Sequence, residues 1–316
     1  MKKYIGIDIA KKTFVAAIKL KDKEKLKTFS NNEKGFKQLT EWVQKFPGEQ
    51  SHFCMESTGK YGDKLAIFLY TNKYIVSVVN PAKIKYFMKS QLTRNKTDSV
   101  DAKFILNYCE SFNPEAWQPD PHEIQELQEL VKRLDVLINM ELQEKNRLEN
   151  VAEVIKESIV STIEYLNEEI KKIEKKIKNH VDNYPHLKEK ADLLNSIPGI
   201  GDRTTSKIIA FLGNTKNFDK AKQLAAFIGL TPHQIQSGTS LNHSRLSKTG
   251  NSNLRKMLYM PALTAMQFNP VLKAFYIKLL AKGKPKKVAI CAVMRKLVHI
   301  IYGVLKSNKP FDAKLA

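Results

Sequence analysis

Two carboxylates, Asp98 and Asp101, stand three positions apart in "NKTDSVDA", just behind Arg94 and Lys96 and ahead of a run that reads as helix. On a helix they share one face about a turn apart, where like charges repel. Two more acids sit in apolar strands. In "YIGIDIA" a period of two puts Ile5, Ile7 and Ile9 on one face and Gly6, Asp8 and Ala10 on the other, while Glu56 closes the apolar "HFCME". A carboxylate in a central strand is costly to bury unless something pairs with it. If the ends of both strands meet the start of the helix, four carboxylates converge, and a pair of divalent cations about 4 Å apart would neutralise them and clamp a phosphodiester. Taken singly, each acid has an ordinary reading: Asp98 as a helix cap or first-turn acid, Asp8 closing a turn, Glu56 capping a strand. The order strand, strand, helix favours the metal site.

The elements that must position these acids are legible from periodicity. Residues 4–20 alternate as strand, turn and strand, "KLKTFS" offers a third strand, and residues 33–46 read as a helix. "SHFCMES", "YGDKLAIFLYTNK" and "YIVSVVN" then read as strand, helix and strand, closed by Pro81, which implies parallel pairing in a covered sheet. Pro114, Pro119 and Pro121 mark a boundary. No proline or glycine interrupts residues 122–184, where apolar residues such as Leu127, Leu134, Ile155, Leu166 and Ile177 follow a helical period. That predicts a long amphipathic helix or helical hairpin of coiled-coil character, a spacer or dimerisation arm. Past Pro185 the pattern is helical with glycine-marked breaks. The expected organisation is an α/β domain over 1–115, a helical linker over 116–185 and an all-α C-terminal domain over 186–316.

The charge balance points to a polyanionic partner. Fifty-three Lys and Arg against 32 Asp and Glu leave a net +21 in 316 residues. The excess is not spread evenly, because residues 220–311 hold no Asp or Glu at all. A solvated surface interleaves both signs, whereas this one suits phosphates. Arg245, Lys248 and Arg255 there, with Arg94 and Lys96 beside the acids, are candidate phosphate contacts. The apolar fraction of 42% is ordinary for a globular protein, which excludes disorder as the default. The apolar runs are short for a membrane span and the N-terminus lacks a signal-peptide pattern, so the cytoplasm is expected and a membrane partner is not. Cys54, Cys109 and Cys291 show no metal-site or disulfide spacing, and the histidines no paired spacing.

The motifs "YIGIDIAKKTF", "MESTGKYGDKLAIFLY", "VSVVNPAKIKYFMKS", "RNKTDSVDAKFI", "SIPGIGDRTTSKIIAFLG", "FDKAKQLAAFIGLTPHQIQSGTS" and "SRLSKTGNSNLRKMLYMPAL" occur in this order. Together they resemble the DEDD insertion-sequence transposases related to the Piv invertase, the bridge-RNA-guided recombinases, whose first domain belongs to the RuvC-like branch of the RNase H fold. The resemblance implies magnesium bound by Asp8, Glu56, Asp98 and Asp101. It also implies a serine nucleophile in a Ser-Gly step soon after "GLTP", which here is Ser237-Gly238. Ser240, Ser244 and Ser247 lie close by, and only the Ser-Gly context favours Ser237. The implied partners are donor and target DNA, a structured guide RNA and further copies of the chain, a dimer or tetramer with composite active sites, acting at a bacterial or archaeal nucleoid. "SIPGIG" resembles a helix-hairpin-helix turn, in which Gly199 and Gly201 let the backbone approach a DNA phosphate.

Three other readings compete. A RuvC-type junction nuclease would use water in place of serine, a noncatalytic nucleic-acid scaffold would need only the basic surface and the long helices, and a sugar-kinase or actin-like ATPase could also open on "YIGIDIA". The last lacks a further phosphate loop.

Overall fold

The period-two pattern of the first thirty residues folds as an antiparallel meander of β1 (Lys2–Ile9), β2 (Thr13–Leu20) and β3 (Lys23–Ser30). The computed structural model describes residues 2–20, 23–57, 59–91, 97–213, 218–237, 241–247 and 249–314, with the side chains of 60, 235–237 and 241–244 outside the description. α1 (Glu33–Gln44) starts at Asn32, whose side chain accepts the Gly35 N–H at 3.0 Å. β4 (Gln50–Glu56) then pairs parallel with β1, and after α2 (Lys60–Thr71), β5 (Ile75–Val79) pairs parallel with β4. Each parallel pairing is reached through a helix, as a crossover requires. The sheet order is β3-β2-β1-β4-β5, so β1 is central. An antiparallel meander extended by two parallel strands, with helices on both faces, is the RNase H-like arrangement.

Alternation along β1 decides which side packs against what. Ile5, Ile7 and Ile9 join Phe14, Phe53 and Met55 in a core closed by Phe36 and Leu39 of α1 and Leu65 and Leu69 of α2. The opposite face is covered by α4 (Asp98–Phe112), with Ala102 and Leu106 against Val15 and Ala17, and Ile105 and Cys109 beside Cys54 and Val79. Ile84 of α3 (Pro81–Ser90) completes that layer. Beyond α4 the chain returns to the sheet, where the Trp117 N–H donates to Val76 O at 2.7 Å. Residues 1–120 form one compact unit and residues 121–316 a second.

In the second unit, α5 (His122–Leu148) and α6 (Glu153–Asn183) pack as a helical hairpin. Leu127, Val131, Leu134 and Leu137 of α5 and Leu166, Ile170, Ile177 and Val181 of α6 share one core with the helices that follow. Toward the hairpin tip the stripe is exposed, at Met140, Leu142, Val154, Ile155 and Tyr165 among others. α7 (Pro185–Asn195) and α8 (Asp202–Leu212) are joined by residues 196–201, and α9 (Ala221–Ile228) follows. The C-terminal part is not all helical as expected. β6 (Pro232–Ser237) and β7 (Leu241–Leu246) form an antiparallel ribbon with Pro232 opposite Leu246 and Ser237 opposite Leu241. "PHQIQS" is short, holds a β-branched residue between polar neighbours and is followed in the sequence by Gly238, which suits a ribbon better than a helix.

α10 (Ser252–Met257), α11 (Tyr259–Phe268), α12 (Pro270–Ala281) and α13 (Lys286–Ser307) complete the unit. Contrary to the reading of short apolar runs, α13 is long and apolar enough, by length and composition, to cross a membrane. Its side chains show why it is apolar: Val293, Leu297, Val298 and Ile301 are fully buried at the centre of the unit's core.

Candidate active site

Asp8 lies near the end of β1 and Glu56 at the end of β4. The two strands are parallel neighbours in register, with Gly6 beside Cys54 and Ile7 beside Met55, so Asp8 and Glu56 follow as adjacent positions at the carboxyl edge of the sheet. α4 supplies the other two acids. Thr97, not Asp98, is its N-cap, with Oγ1 accepting the Val100 N–H at 3.3 Å, and Asp98 and Asp101 both fall in its first turn. There the unbonded N–H groups and the helix dipole favour negative charge.

Gly6 brings these elements together. It shares a face with Asp8, and a Cβ built on it would strike the Leu106 N and the Ala102 O and lie 2.7 Å from the Leu106 Cα. α4 therefore rests on bare backbone at Gly6. Asp101 is next to Ala102 on that helix, and Asp8 is two residues past Gly6 on the strand, so the close approach puts the first turn of α4 over the end of β1. Sequence reasoning placed Gly6 on the acid face without assigning it a role; a glycine inside a strand is the signal for a close backbone approach.

The electrostatics register the convergence. Burial, followed by the charges of Asp101, Asp98 and Glu56, raises Asp8 from the ordinary 3.8 to about 6, against a backbone hydrogen bond at Ile9 that lowers it. All three other acids are therefore felt at Asp8. Among the described residues, no three His, Cys, Asp or Glu side chains stand close enough together to hold a metal ion. The two observations have different reach, because charge repulsion extends well beyond the 2.0–2.6 Å of a metal–oxygen bond. The donor set, all carboxylate oxygen, fits a hard divalent cation in chemistry and in charge.

The remaining expected residues fall elsewhere. Ser237 ends β6 at the tip of the ribbon, with its side chain outside the description; Gly238, Arg94, Lys96 and Lys248 lie outside the described residues. Arg245 is exposed on β7 opposite His233. Arg255 on α10 is half-buried and donates from Nη1 to Ile228 O at 3.1 Å, a carbonyl at the end of α9. Gly199 and Gly201 lie between α7 and α8, Gly199 at φ 100° and packed against Ala265.

Comparison with known proteins follows the same division of the chain. Residues 5–156 match the DEDD transposase family of IS110 type, and residues 191–277 match the transposase IS116/IS110/IS902 family. The pilin gene-inverting protein of Moraxella bovis is 36% identical over 318 aligned residues, covering 99% of both chains, and that of Moraxella lacunata is also 36% identical over the same share. The transposase for insertion sequence element IS1328 of Yersinia enterocolitica is 32% identical over 151 residues, 47% of this chain and 44% of its own. DEDD transposases typically use divalent metal ions. With both regions matched and near-complete coverage of the invertase relatives, the chain belongs to the IS110-type DEDD transposase family and is an enzyme acting on DNA.

Proposed function

We propose that this enzyme cuts and rejoins DNA through a covalent phosphoserine link at Ser237, assisted by magnesium held by Asp8, Glu56, Asp98 and Asp101 and directed to its sites by a structured guide RNA. The observation that supports the reading is the raised Asp8, held up first by burial and then by the charges of Asp101, Asp98 and Glu56. Bound there, magnesium would neutralise charge on a phosphodiester and ease departure of its oxygen. Ser237 Oγ forms the new bond to phosphorus while one phosphorus–oxygen bond of the DNA breaks, and the leaving deoxyribose oxygen ends as a hydroxyl, taking up the proton the serine gives away. A hydroxyl from another DNA end reverses the step, which rejoins strands and frees the serine.

A serine hydroxyl is weak at neutral pH and needs activation. Residues 220–311 contain no acid to provide it, so the acids of the first unit must reach the same phosphate in the assembled complex. Sharing between protomers, with the α5–α6 hairpin as the dimerisation arm, satisfies that need. The hairpin turn at Gly199 and Gly201, with Arg245 and Lys248, would hold DNA phosphates without reading bases.

Ser237→Ala should abolish covalent protein–DNA adducts while DNA binding stays within about twofold. An adduct persisting in that variant sinks the nucleophile, and protein-free ends from the unaltered enzyme would instead mean hydrolysis by water. Sequencing of RNA that copurifies with the protein tests the guide: a discrete structured species is expected, and its absence removes that part of the reading.

A further inference from the structure

The most exposed apolar side chains of the C-terminal helices that share one face are Met260, at 64%, and Phe268, at 67%. They stand eight residues apart on α11 with exposed Thr264 between them, a row at i, i+4, i+8 that spans one side of the helix over about 12 Å. Exposed Lys256 continues the row one turn earlier, in α10, which runs almost directly into α11. Core packing does not explain these residues, because the residues that α11 buries are Pro261, Ala262 and Ala265.

The row has a specific neighbour. Met260 and Thr264 line one shallow depression with Gly199, Gly201 and Thr204. The adjacency is held tightly: a Cβ on Gly199 would lie 2.5 Å from the Ala265 Cα. Gly201, by contrast, has open space where a Cβ would stand. Phe268 is not on a loose end. The next residue, Asn269, is fully buried, and its Oδ1 accepts the Val271 and Leu272 N–H groups at 3.1 and 3.2 Å, which fixes the corner between α11 and α12.

We propose that this row, Met260, Thr264 and Phe268 beside the glycine hairpin, is a stacking platform for unpaired DNA. The inference rests on the reading that the C-terminal unit binds DNA, and it names the form of DNA that this surface takes. Apolar and aromatic side chains standing in a segment of 92 residues without one acid fit a ligand that offers flat apolar faces on an anionic backbone. Duplex DNA hides its base faces, whereas an unpaired strand presents them, and 12 Å accommodates about three stacked bases. Cleavage and exchange of strands necessarily release such segments. Thr204 offers its hydroxyl to the backbone that runs alongside.

The test uses the full-length protein and fluorescence anisotropy with three labelled probes: a twenty-nucleotide oligothymidylate, the same strand in duplex, and oligouridylate of equal length. Phe268→Ala should weaken oligothymidylate binding roughly 5- to 150-fold and leave the duplex within about twofold. Phe268→Trp should restore the loss, and Met260→Ala should weaken the same probe by a smaller factor. Equal loss on duplex and single strand, or no loss on either, overturns the platform. Loss confined to oligouridylate makes it an RNA surface and overturns the proposal, as does a change in sedimentation coefficient on Phe268→Ala, which would mean that the row is covered by another copy. None of these readings depends on Ser237, so failure of the phosphoserine mechanism leaves a selective loss on oligothymidylate interpretable.

Discussion

Replacing Gly6 with alanine puts a methyl carbon against the backbone of α4, touching the Leu106 N and the Ala102 O and 2.7 Å from the Leu106 Cα. An ordinary carbon–carbon contact is about 3.5–4.0 Å, so α4 must lift from β1 by roughly 1 Å before the methyl fits. Neither neighbour can swing aside, because both are main chain rather than the far end of a flexible side chain. Overpacking of this kind costs about 1–3 kcal/mol. In a unit of 120 residues, 2 kcal/mol lowers the melting temperature by about 6–12 °C. The same lift carries Asp98 and Asp101 away from Asp8 and Glu56, and a displacement of about 1 Å at reacting groups is worth on the order of 100-fold in rate. Differential scanning fluorimetry and a DNA strand-cleavage assay read the two effects. A Gly6→Ala protein that melts and cleaves like the parent refutes the claim that α4 is seated on bare backbone at that point.

Asp8→Asn relieves the charge that burial and three neighbouring acids disfavour, so without metal the variant should be more stable than the parent at pH 7, by about 1 kcal/mol once solvent screening is discounted. Because the folded value of about 6 lies above the unfolded 3.8, the parent should be most stable below pH 4 with respect to this group and lose that increment as pH rises through 6, a slope absent from the Asn variant; chemical denaturation in EDTA across pH 4–7 checks it, and parallel curves would contradict it. Arg255→Ala removes the donor to Ile228 O at the end of α9 and should cost about 1–2 kcal/mol, measured by urea unfolding, whereas an unchanged midpoint would return Arg255 to a purely phosphate-contacting role.

Much of the first unit was legible because strand alternation and α/β order are local signals. Ile5, Ile7 and Ile9 on one face and Gly6 and Asp8 on the other is the pattern that the sheet displays. One local reading was narrowed and another went astray, each for a local reason. Of the two ordinary readings of Asp98, cap or first-turn acid, Thr97 takes the cap and Asp98 falls in the first turn, since a threonine before the first turn accepts the same N–H. The β6–β7 ribbon escaped notice because each strand has only six residues of mostly polar character, too short for a clear period.

The amino-acid sequence by itself determined the supply of chemistry: four acids set in strands and a helix, a net charge of +21, and 92 consecutive residues free of acid. These follow from residue type and short-range spacing. Tertiary structure alone decided that β1, β4 and the start of α4, which carry the acids, are neighbours, because that depends on parallel pairing of β1 with β4 and on α4 settling over Gly6, contacts between residues some fifty to a hundred positions apart. It also decided that the apolar α13 is a core helix and that Met260 and Phe268, with equally apolar side chains, are not. Periodicity tells which residues share a face; only packing tells whether that face has been covered.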